Sequence, residues 1–208
     1  MDSLKQETIA AYDAAAVDYA TETAHLPDSI RTTCARFASL LAGSGRVLEI
    51  GSGGGRDARA LEEHGLSVRR TDVTPGFVKI LRAQGFEADL LDPLTDDLDD
   101  PHNPGRRYDA VWAQACLMHV DRDDLPTVLT RLANVTGPAG PIFLSVTEGD
   151  ANTREIGSTG ARYHRTDWRE PELRAVVNDS GWVVDEVWAS QGKYSPFLNV
   201  LGHRADTP

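Results

Sequence analysis

The sequence predicts an α/β protein in which a doubly wound, mostly parallel sheet carries helices on both faces. Short runs rich in β-branched residues recur along the chain, amphipathic helical patterns separate them, and a glycine-rich turn follows the first run. Each parallel connection has to cross back over the sheet, so this alternation favours parallel strands. Residues 1–42 are predicted to form a helical cap within the same domain, and residues 43–208 the part that contains the sheet.

The predicted strands come at regular intervals. They are placed at residues 46–50, 67–71, 86–89, 108–113 and 142–146, with a terminal hairpin formed by residues 182–189 and 197–202. Two helices are expected in the first 42 residues, separated at Pro27, and a long helix is expected to begin at Asp121 as its N-cap. The segment 148–164 is polar and rich in glycine, which is typical of a loop.

Composition narrows the classes of partner. The chain has 32 acidic and 21 basic residues, a formal charge of −11, so its field should repel nucleic acids and anionic membrane surfaces. The two cysteines, Cys34 and Cys116, lie far apart and show neither metal-type spacing nor a disulfide framework. No apolar signal core or membrane-length apolar run is present. We therefore expect a cytoplasmic protein without a metal site, and the oligomeric state is left open.

The segment VLEIGSGGGRDA, residues 47–58, is the most informative part of the sequence. Gly51, Gly53 and Gly55 permit a tight turn with bare backbone, and the helix that follows offers unpaired N–H groups to an anion. The dinucleotide fingerprint would require a further glycine at position 56, where this chain has Arg56. Glu49, inside the preceding strand, favours a ligand that carries a positive charge.

Acidic residues also follow the next two predicted strands. Asp72 ends the second strand, where a carboxylate can accept hydrogen bonds from ribose hydroxyls. Asp89 ends the third predicted strand, placed to meet an exocyclic amino group, and Leu90 can pack on a purine ring. Since the carboxyl ends of parallel strands meet at one edge of the sheet, these residues should converge on one nucleoside.

On these residues the chain resembles class I S-adenosylmethionine-dependent methyltransferases, in particular the small, single-domain bacterial type. The resemblance is carried by VLEIGSGGGRD, TDVTPGFV, EADLLDPL and the segment from YDAVWAQACLMHV to PIFLSV. It implies a Rossmann-like sheet of seven strands in the order 3-2-1-4-5-7-6, with strand 7 antiparallel. It also implies S-adenosylmethionine as the cofactor and S-adenosylhomocysteine as the product.

The resemblance further implies a set of cofactor-binding residues. Glu49, Gly51, Gly53 and Gly55 would hold the methionine half, Asp72 the ribose, and Asp89 with Leu90 the adenine. The remaining expected contacts to the cofactor are Tyr19, Ser52, Arg56, Val73, Gln114 and Ala115.

The implied reaction is an in-line displacement that transfers a methyl group to a small-molecule or peptide acceptor. Positioning and exclusion of water supply most of the acceleration in such a reaction, with a base where the acceptor loses a proton. His119 is the candidate base, although a structural histidine would give the same sequence signal. Tyr12 and Tyr19 share a helix face and resemble aromatic residues that cover the cofactor in related enzymes; ordinary packing is the alternative.

Related enzymes place loops that face the substrate after strand five. The candidate acceptor-binding residues are Tyr12, Arg154, Arg162, Tyr163, His164 and Asn199. Polar residues in such a segment are equally typical of a surface loop. Two other functions stay open at this point: a non-catalytic regulator that binds S-adenosylmethionine, and a nicotinamide-dependent oxidoreductase, which the missing third glycine and Glu49 disfavour.

Overall fold

The computed structural model describes residues 3–156 and 162–206, with residues 3, 152–156 and 162 described by their backbone alone. The helices are α1 (Ser3–Ala14), α2 (Ala16–Glu22), α3 (Asp28–Leu40), α4 (Arg56–Glu63), α5 (Pro75–Ala83), α6 (Leu125–Val135) and α7 (Glu170–Asp179), and a 3₁₀ turn spans Leu117–His119. The strands are β1 (Arg46–Ile50), β2 (Ser67–Asp72), β3 (Ala88–Leu90), β4 (Ala110–Ala113), β5 (Pro141–Thr147), β6 (Asn152–Ile156), β7 (Arg162–Thr166), β8 (Trp182–Gln191) and β9 (Pro196–Arg204). Within the described ranges, none of the helices is long and apolar enough to cross a membrane.

Seven strands form one sheet in the order β3-β2-β1-β4-β5-β9-β8. The pairs from β3 through β5 are parallel, and β9 runs antiparallel to both β5 and β8. Strands β6 and β7 form a separate antiparallel hairpin. Counted over the main sheet alone, the strand order is therefore 3-2-1-4-5-7-6. The predicted fold class and the antiparallel seventh strand are confirmed.

The segment after β5 differs from the expected loop. Residues 152–156 and 162–166 pair as the hairpin β6–β7, although their composition is polar. In β7, His164 and Thr166 are buried, and the backbone N–H of His164 donates to the hydroxyl of Thr8 on α1. The burial that stabilises this strand thus comes from a distant part of the chain, which local composition does not reveal.

The N-terminal cap contains three helices rather than the predicted two. The chain departs from helical geometry at Ala15, between α1 and α2, in addition to the predicted interruption at Pro27. The N-cap of α6 also differs from the prediction, because that helix begins after Asp124. The carboxylate of Asp121 lies instead 2.9 Å from Nε2 of His164. A tertiary contact has replaced the local capping role expected for this aspartate.

The strands place alternate residues on opposite faces of the sheet, as the period of two requires. One face carries the apolar cluster packed under α6 and α7, with Leu48 and Val111 among its members. The other face packs under α3 and α4, where Trp112 stacks against Phe143 with ring centroids 4.3 Å apart. Glu49 lies on the second face, one residue from the carboxyl end of β1, so a buried acid stands at the edge where the site forms.

Arg69 on β2 connects the sheet to the long connection that follows β3. Its side chain is 8% exposed. It donates to Asp89 at 2.8 Å, to the carbonyls of Leu98 and Asp99 at 3.0 and 2.9 Å, and to the hydroxyl of Tyr108 at 2.7 Å. One guanidinium therefore satisfies two backbone carbonyls of the connection between β3 and β4.

Replacing this guanidinium should destabilise the fold. We expect Arg69→Met to lower the free energy of unfolding by about 3 kcal/mol, because the substitution removes the donor to the carboxylate of Asp89 and to the carbonyl of Asp99. Asp89→Asn is the matched control: it keeps the other hydrogen bonds of Arg69 and removes a carboxylate that is a third exposed, so its cost should be about 1 kcal/mol. Urea denaturation measures both. Equal losses for the two variants would contradict this account.

Candidate active site

The glycine-rich turn after β1 adopts backbone conformations that favour glycine. Gly51, Gly53 and Gly55 have φ angles of +72°, +51° and +75°. A Cβ atom on Gly51 would lie 2.4 Å from Cβ of Cys116, in the loop after β4, so that loop rests directly on bare backbone. Around Gly53, in contrast, no described atom lies within 4 Å of the position of a Cβ. The turn is closely packed at its first glycine and open at its second.

Two acids fix the turn from either side. The hydroxyl of Ser52 donates to the buried carboxyl group of Glu49. The carboxylate of Asp72, at the end of β2, accepts the N–H of Gly53 at 2.9 Å and the N–H of Thr74 at 2.8 Å. Each carboxylate oxygen has a second lone pair, so Asp72 retains the capacity to accept a further donor. The turn is therefore held in place by groups that can also bind a ligand.

Burial controls the charge of these acids. Burial raises the pKa of Glu49 to about 8, with a further contribution from the nearby carboxylate of Asp57, against the opposing effect of the Ser52 hydrogen bond. Burial also raises the pKa of Asp72 above its ordinary value, although the backbone N–H groups of Gly53 and Thr74 oppose the shift. Glu49 is thus largely protonated at neutral pH, and a cation beside it would favour its ionised form.

Arg56 supplies positive charge at the start of α4. Its guanidinium donates to the carboxylate of Asp57 at 3.0 Å, to the carbonyl of Thr23 at 3.1 Å and to the side-chain oxygen of Gln114 at 3.4 Å. It therefore joins the cap, the glycine-rich turn and the end of β4. Next to Gln114, Ala115 has a left-handed φ of +51°, and its N–H donates to the hydroxyl of Ser145 at 2.9 Å.

These groups surround a cavity of about 90 Å³, which we call the polar cavity. Its lining residues are Tyr19, Ala20, Thr23, Ala24, Glu49, Ile50, Gly51, Ser52, Gly53, Gly54, Arg56, Asp57, Trp112, Gln114 and Ala115. Eight of the predicted cofactor contacts thus line this cavity: Tyr19, Glu49, Gly51, Ser52, Gly53, Arg56, Gln114 and Ala115. Gly55 supports the turn instead, with Leu81 packed against its Cα.

A larger cavity of about 250 Å³, which we call the apolar cavity, shares Ile50 and Gly51 with the polar one. Its lining residues are Leu4, Lys5, Thr8, Ile9, Ile50, Gly51, Val73, Leu91, Asp92, Pro93, Leu94, Thr95, Cys116, Leu117, His119, Val120, Asp121, Asp124 and His164. The two cavities therefore meet at the first glycine of the turn, one on the side of α2 and the other on the side of α1.

The structure does not bring Asp89 and Leu90 to either cavity. Asp89 is paired with Arg69, and Leu90 is 56% exposed. The reason is the position where the strand ends. Strand β3 continues through Leu90, so the first residues after it, Leu91 and Asp92, line the apolar cavity instead. Sequence reasoning missed Asp92 because ADLLD holds two aspartates, and which of them leaves the strand depends on where the pairing with β2 stops.

His119, on the 3₁₀ turn, lies between two partners. Its Nδ1 is 2.6 Å from the carbonyl oxygen of His164, and its Nε2 is 3.0 Å from the hydroxyl of Tyr12 on α1. Burial lowers the pKa of His119 to about 4, while the hydrogen bond to His164 opposes the shift. The imidazole is therefore neutral at pH 7, and its contact with Tyr12 joins the cap to the sheet.

The other predicted acceptor residues separate into three groups. Tyr163 packs its ring on His119, with centroids 5.7 Å apart, and His164 lines the apolar cavity. Asn199 is not at either cavity, because its amide donates to the carbonyl of Trp188 and the hydroxyl of Ser190 within the terminal hairpin. The side chains of Arg154 and Arg162 lie outside the described part of the structure.

Comparisons with known proteins agree with this architecture. Residues 47–140 match the family model described as "Methyltransferase domain". This part of the chain, somewhat under half of its length, is therefore similar to a methyltransferase domain. A ubiquinone biosynthesis O-methyltransferase of Xanthomonas euvesicatoria pv. vesicatoria is 28% identical over 173 residues, which cover 76% of this chain and 70% of that protein.

Two solved structures share the fold of this chain over 98% of its length. The 1,6-didemethyltoxoflavin-N1-methyltransferase of Burkholderia thailandensis, with bound 1,6-didemethyltoxoflavin and S-adenosylhomocysteine, has a TM-score of 0.72 at 20% identity and covers 98% of this chain and 88% of its own. The DhpI–SAH complex has a TM-score of 0.72 at 22% identity and covers 98% of each chain. At such identities these similarities establish the fold.

The buried carboxyl group of Glu49 should make the stability of the protein depend on pH. A folded-state pKa of about 8 against an unfolded value of 4.5 means that the native protein binds the extra proton between these limits. The free energy of unfolding should therefore fall as pH rises from about 5 to 8, by at most about 1.4 kcal/mol per pH unit from this group. Glu49→Gln should remove that dependence, so the variant should gain stability relative to wild type as pH increases.

Urea denaturation at pH 5, 6, 7 and 8 measures this difference. Glu63→Gln, the same substitution at an exposed position of α4, controls for the substitution itself. A difference between wild type and Glu49→Gln that stayed constant across this range would show that Glu49 is already ionised in the folded protein.

The two glycines of the turn should respond differently to alanine. We expect Gly51→Ala to cost about 3 kcal/mol of unfolding free energy, from a left-handed backbone and from overlap with Cys116. Gly53→Ala should cost about 1 kcal/mol, because it has the backbone strain without a steric neighbour. Thermal or urea denaturation distinguishes the two, and equal costs would mean that the loop after β4 does not rest on Gly51.

Proposed function

We propose that this protein is an S-adenosylmethionine-dependent methyltransferase that acts on a small-molecule acceptor. The observation that carries the proposal is the meeting of the polar and apolar cavities at Gly51, along the carboxyl edge of the sheet. A charged amino-acid group suits the first cavity and a nucleoside suits the second, and S-adenosylmethionine joins the two through its sulfonium. The methyltransferase domain match over residues 47–140 supports the same assignment.

The residues present fit this cofactor. The space beside Gly53 that a Cβ would occupy is open, so bare backbone can approach a ligand. Arg56 at the polar cavity can bind a carboxylate, and Glu49 can neutralise part of a positive charge when it ionises. Asp72 has spare acceptor capacity for ribose hydroxyls, and Val73 next to it lines the apolar cavity.

For the adenine end we propose Leu91 and Asp92 in place of Asp89 and Leu90. Leu91 lies at the wall of the apolar cavity, and the carboxylate of Asp92 accepts the N–H of Leu94 at 3.0 Å and pairs with Lys5 of α1. An exocyclic amino group could donate to this carboxylate as Lys5 does. The tie to α1 also means that the cap lies over this end of the site.

When bound, S-adenosylmethionine supplies a methyl group that is already electrophilic because it is attached to a sulfonium. The work of the protein is then to orient the acceptor and to exclude water. Helices α1 and α2 line the two cavities, through Thr8 and Ile9 on one and Tyr19 and Ala20 on the other. We propose on this basis that residues 1–42 act as a lid within the same domain.

A small acceptor is favoured over a macromolecule. Helix α1 of the cap lines one side of the apolar cavity, and the net charge of −11 opposes binding of nucleic acid. The relatives carry names of the same kind, one an O-methyltransferase of ubiquinone biosynthesis and another an N1-methyltransferase bound to 1,6-didemethyltoxoflavin. Whether oxygen, nitrogen or carbon is methylated here is left to experiment, a peptide acceptor is the alternative to a metabolite, and a cytoplasmic location stays a prediction.

Calorimetry with S-adenosylhomocysteine and with NAD tests the cofactor. We expect heat of binding with the former and none with the latter, which also distinguishes a methyltransferase from an oxidoreductase. A screen of metabolites incubated with S-adenosylmethionine, read by mass spectrometry for gain of a methyl group, then distinguishes an enzyme from a regulator. Absence of binding to S-adenosylhomocysteine would refute the proposal.

Asp89 in β3 and Asp92 just after it should affect the same assay differently. Asp92→Asn should weaken binding of S-adenosylhomocysteine by roughly tenfold, because a hydrogen bond to a charged group is lost. Asp89→Asn should change the affinity by less than twofold, since Asp89 pairs with Arg69. Lys5→Met removes the same ion pair as Asp92→Asn and should leave the affinity undiminished. The reverse ranking of the two aspartates would restore Asp89 as the adenine ligand.

A further inference from the structure

The partners of His119 determine which of its nitrogens carries the proton. Nδ1 lies 2.6 Å from the carbonyl oxygen of His164, and a carbonyl can only accept. The proton of the neutral imidazole is therefore on Nδ1, and Nε2 presents a lone pair. The hydroxyl of Tyr12, 3.0 Å from Nε2, must then donate its own proton to His119.

This arrangement leaves the oxygen of Tyr12 as an acceptor. Its single proton is used toward His119, so a further partner of the hydroxyl has to be a donor. The residue that supplies this carbonyl, His164, is itself fixed, because its backbone N–H donates to Thr8 at 2.8 Å and its Nε2 lies 3.0 Å from the hydroxyl of Thr166. The pair is thus held by hydrogen bonds from α1 and β7.

Tyr12 packs against one residue of each cavity. Its ring lies 5.4 Å from that of Tyr19, which lines the polar cavity, and 5.2 Å from that of His119, which lines the apolar one. The rings of Phe77 and Tyr163 lie 6.3 and 6.2 Å from it. Tyr12 therefore belongs to a cluster of aromatic rings, and a flat molecule packs well against such rings.

Resting on the proposed function, we propose that Tyr12 is the catalytic residue that takes the acceptor's proton and passes its own to His119, and that the acceptor is a flat molecule with an O–H or ring N–H at the methylated atom. The acceptor's lone pair forms the new bond to carbon while the electrons of the carbon–sulfur bond stay on sulfur. The acceptor's proton moves to the oxygen of Tyr12, and the proton of Tyr12 moves to Nε2 of His119.

The charge of the site explains why a neutral, buried imidazole suits this step. Burial disfavours an imidazolium at His119, but the sulfonium loses its positive charge as His119 gains one. The number of charges in the enclosed site is therefore unchanged through the transfer. His119 acts through Tyr12 and is a positioning and proton-storing residue, whereas Tyr12 contacts the acceptor.

The first test uses matched probes bound to the complex with S-adenosylhomocysteine. Catechol is compared with 1,2-dimethoxybenzene, and benzimidazole with 1-methylbenzimidazole, by NMR titration. We expect the members with an O–H or N–H to bind at least tenfold more tightly than their methylated partners, and Tyr12→Phe to abolish that preference while changing the affinity for S-adenosylhomocysteine by less than twofold. Equal binding within each pair, or no binding by any probe while S-adenosylhomocysteine binds, overturns this inference and leaves the proposed function standing.

The second test is spectroscopic and catalytic. In ¹⁵N spectra of the imidazoles, His119 should be protonated on Nδ1, and Tyr12→Phe should shift its Nε2 resonance, whereas Tyr194→Phe, at an exposed tyrosine, should not. With a probe that is methylated, Tyr12→Phe should lower turnover by about 100-fold, the size of a general-base contribution. A protonated Nε2 in wild type, or turnover unchanged in Tyr12→Phe, overturns the assignment. If the wild-type protein does not bind S-adenosylhomocysteine, the proposed function itself is overturned.

Discussion

The site depends on a close approach that a glycine alone permits. Because Gly51 has no side chain, the loop after β4 rests with Cys116 on the backbone of the turn after β1. That contact packs the loop after β4 against the end of β1. The 3₁₀ turn that carries His119 directly follows Cys116 in this loop. It also divides the space above the sheet, so that a polar and an apolar cavity share Gly51 as their common wall.

Electrostatics then distinguishes the two sides of that wall. On the polar side, Glu49 and Asp57 are buried beside Arg56, so protonation of Glu49 limits the number of charges held out of water. A ligand that brings its own positive charge makes ionisation of Glu49 less costly, and binding and proton release become linked. On the apolar side most of the cavity surface is apolar. The carboxylate of Asp92 also lines this cavity and pairs with Lys5 of the cap.

Much of the fold could be predicted from the sequence, because strands and helices here have strong local signals. The apolar runs of β1, β4 and β5 are buried on both faces, and the turn after β1 needs glycines at positive φ, so both are visible in a single sequence. The hairpin β6–β7 was missed because its burial depends on α1. Asp92 was not predicted to line a cavity for a related reason. The end of β3 is set by its pairing with β2, and moving that end by a few residues would place Asp89 rather than Asp92 just after the strand.

The acceptor side of the site is the part that local sequence patterns describe least. The glycine-rich turn after β1 is one continuous segment of sequence. The proton path proposed above instead combines Tyr12 from α1, His119 from the 3₁₀ turn and the carbonyl of His164 from β7. No spacing links these three positions, and the carbonyl would be supplied by any residue at that point of the strand. Its role is imposed by the backbone geometry of β7. The proton path to the acceptor therefore depends on how the cap and the hairpin β6–β7 pack together. A substitution at their contact can change which acceptor is used without changing the glycine-rich turn after β1.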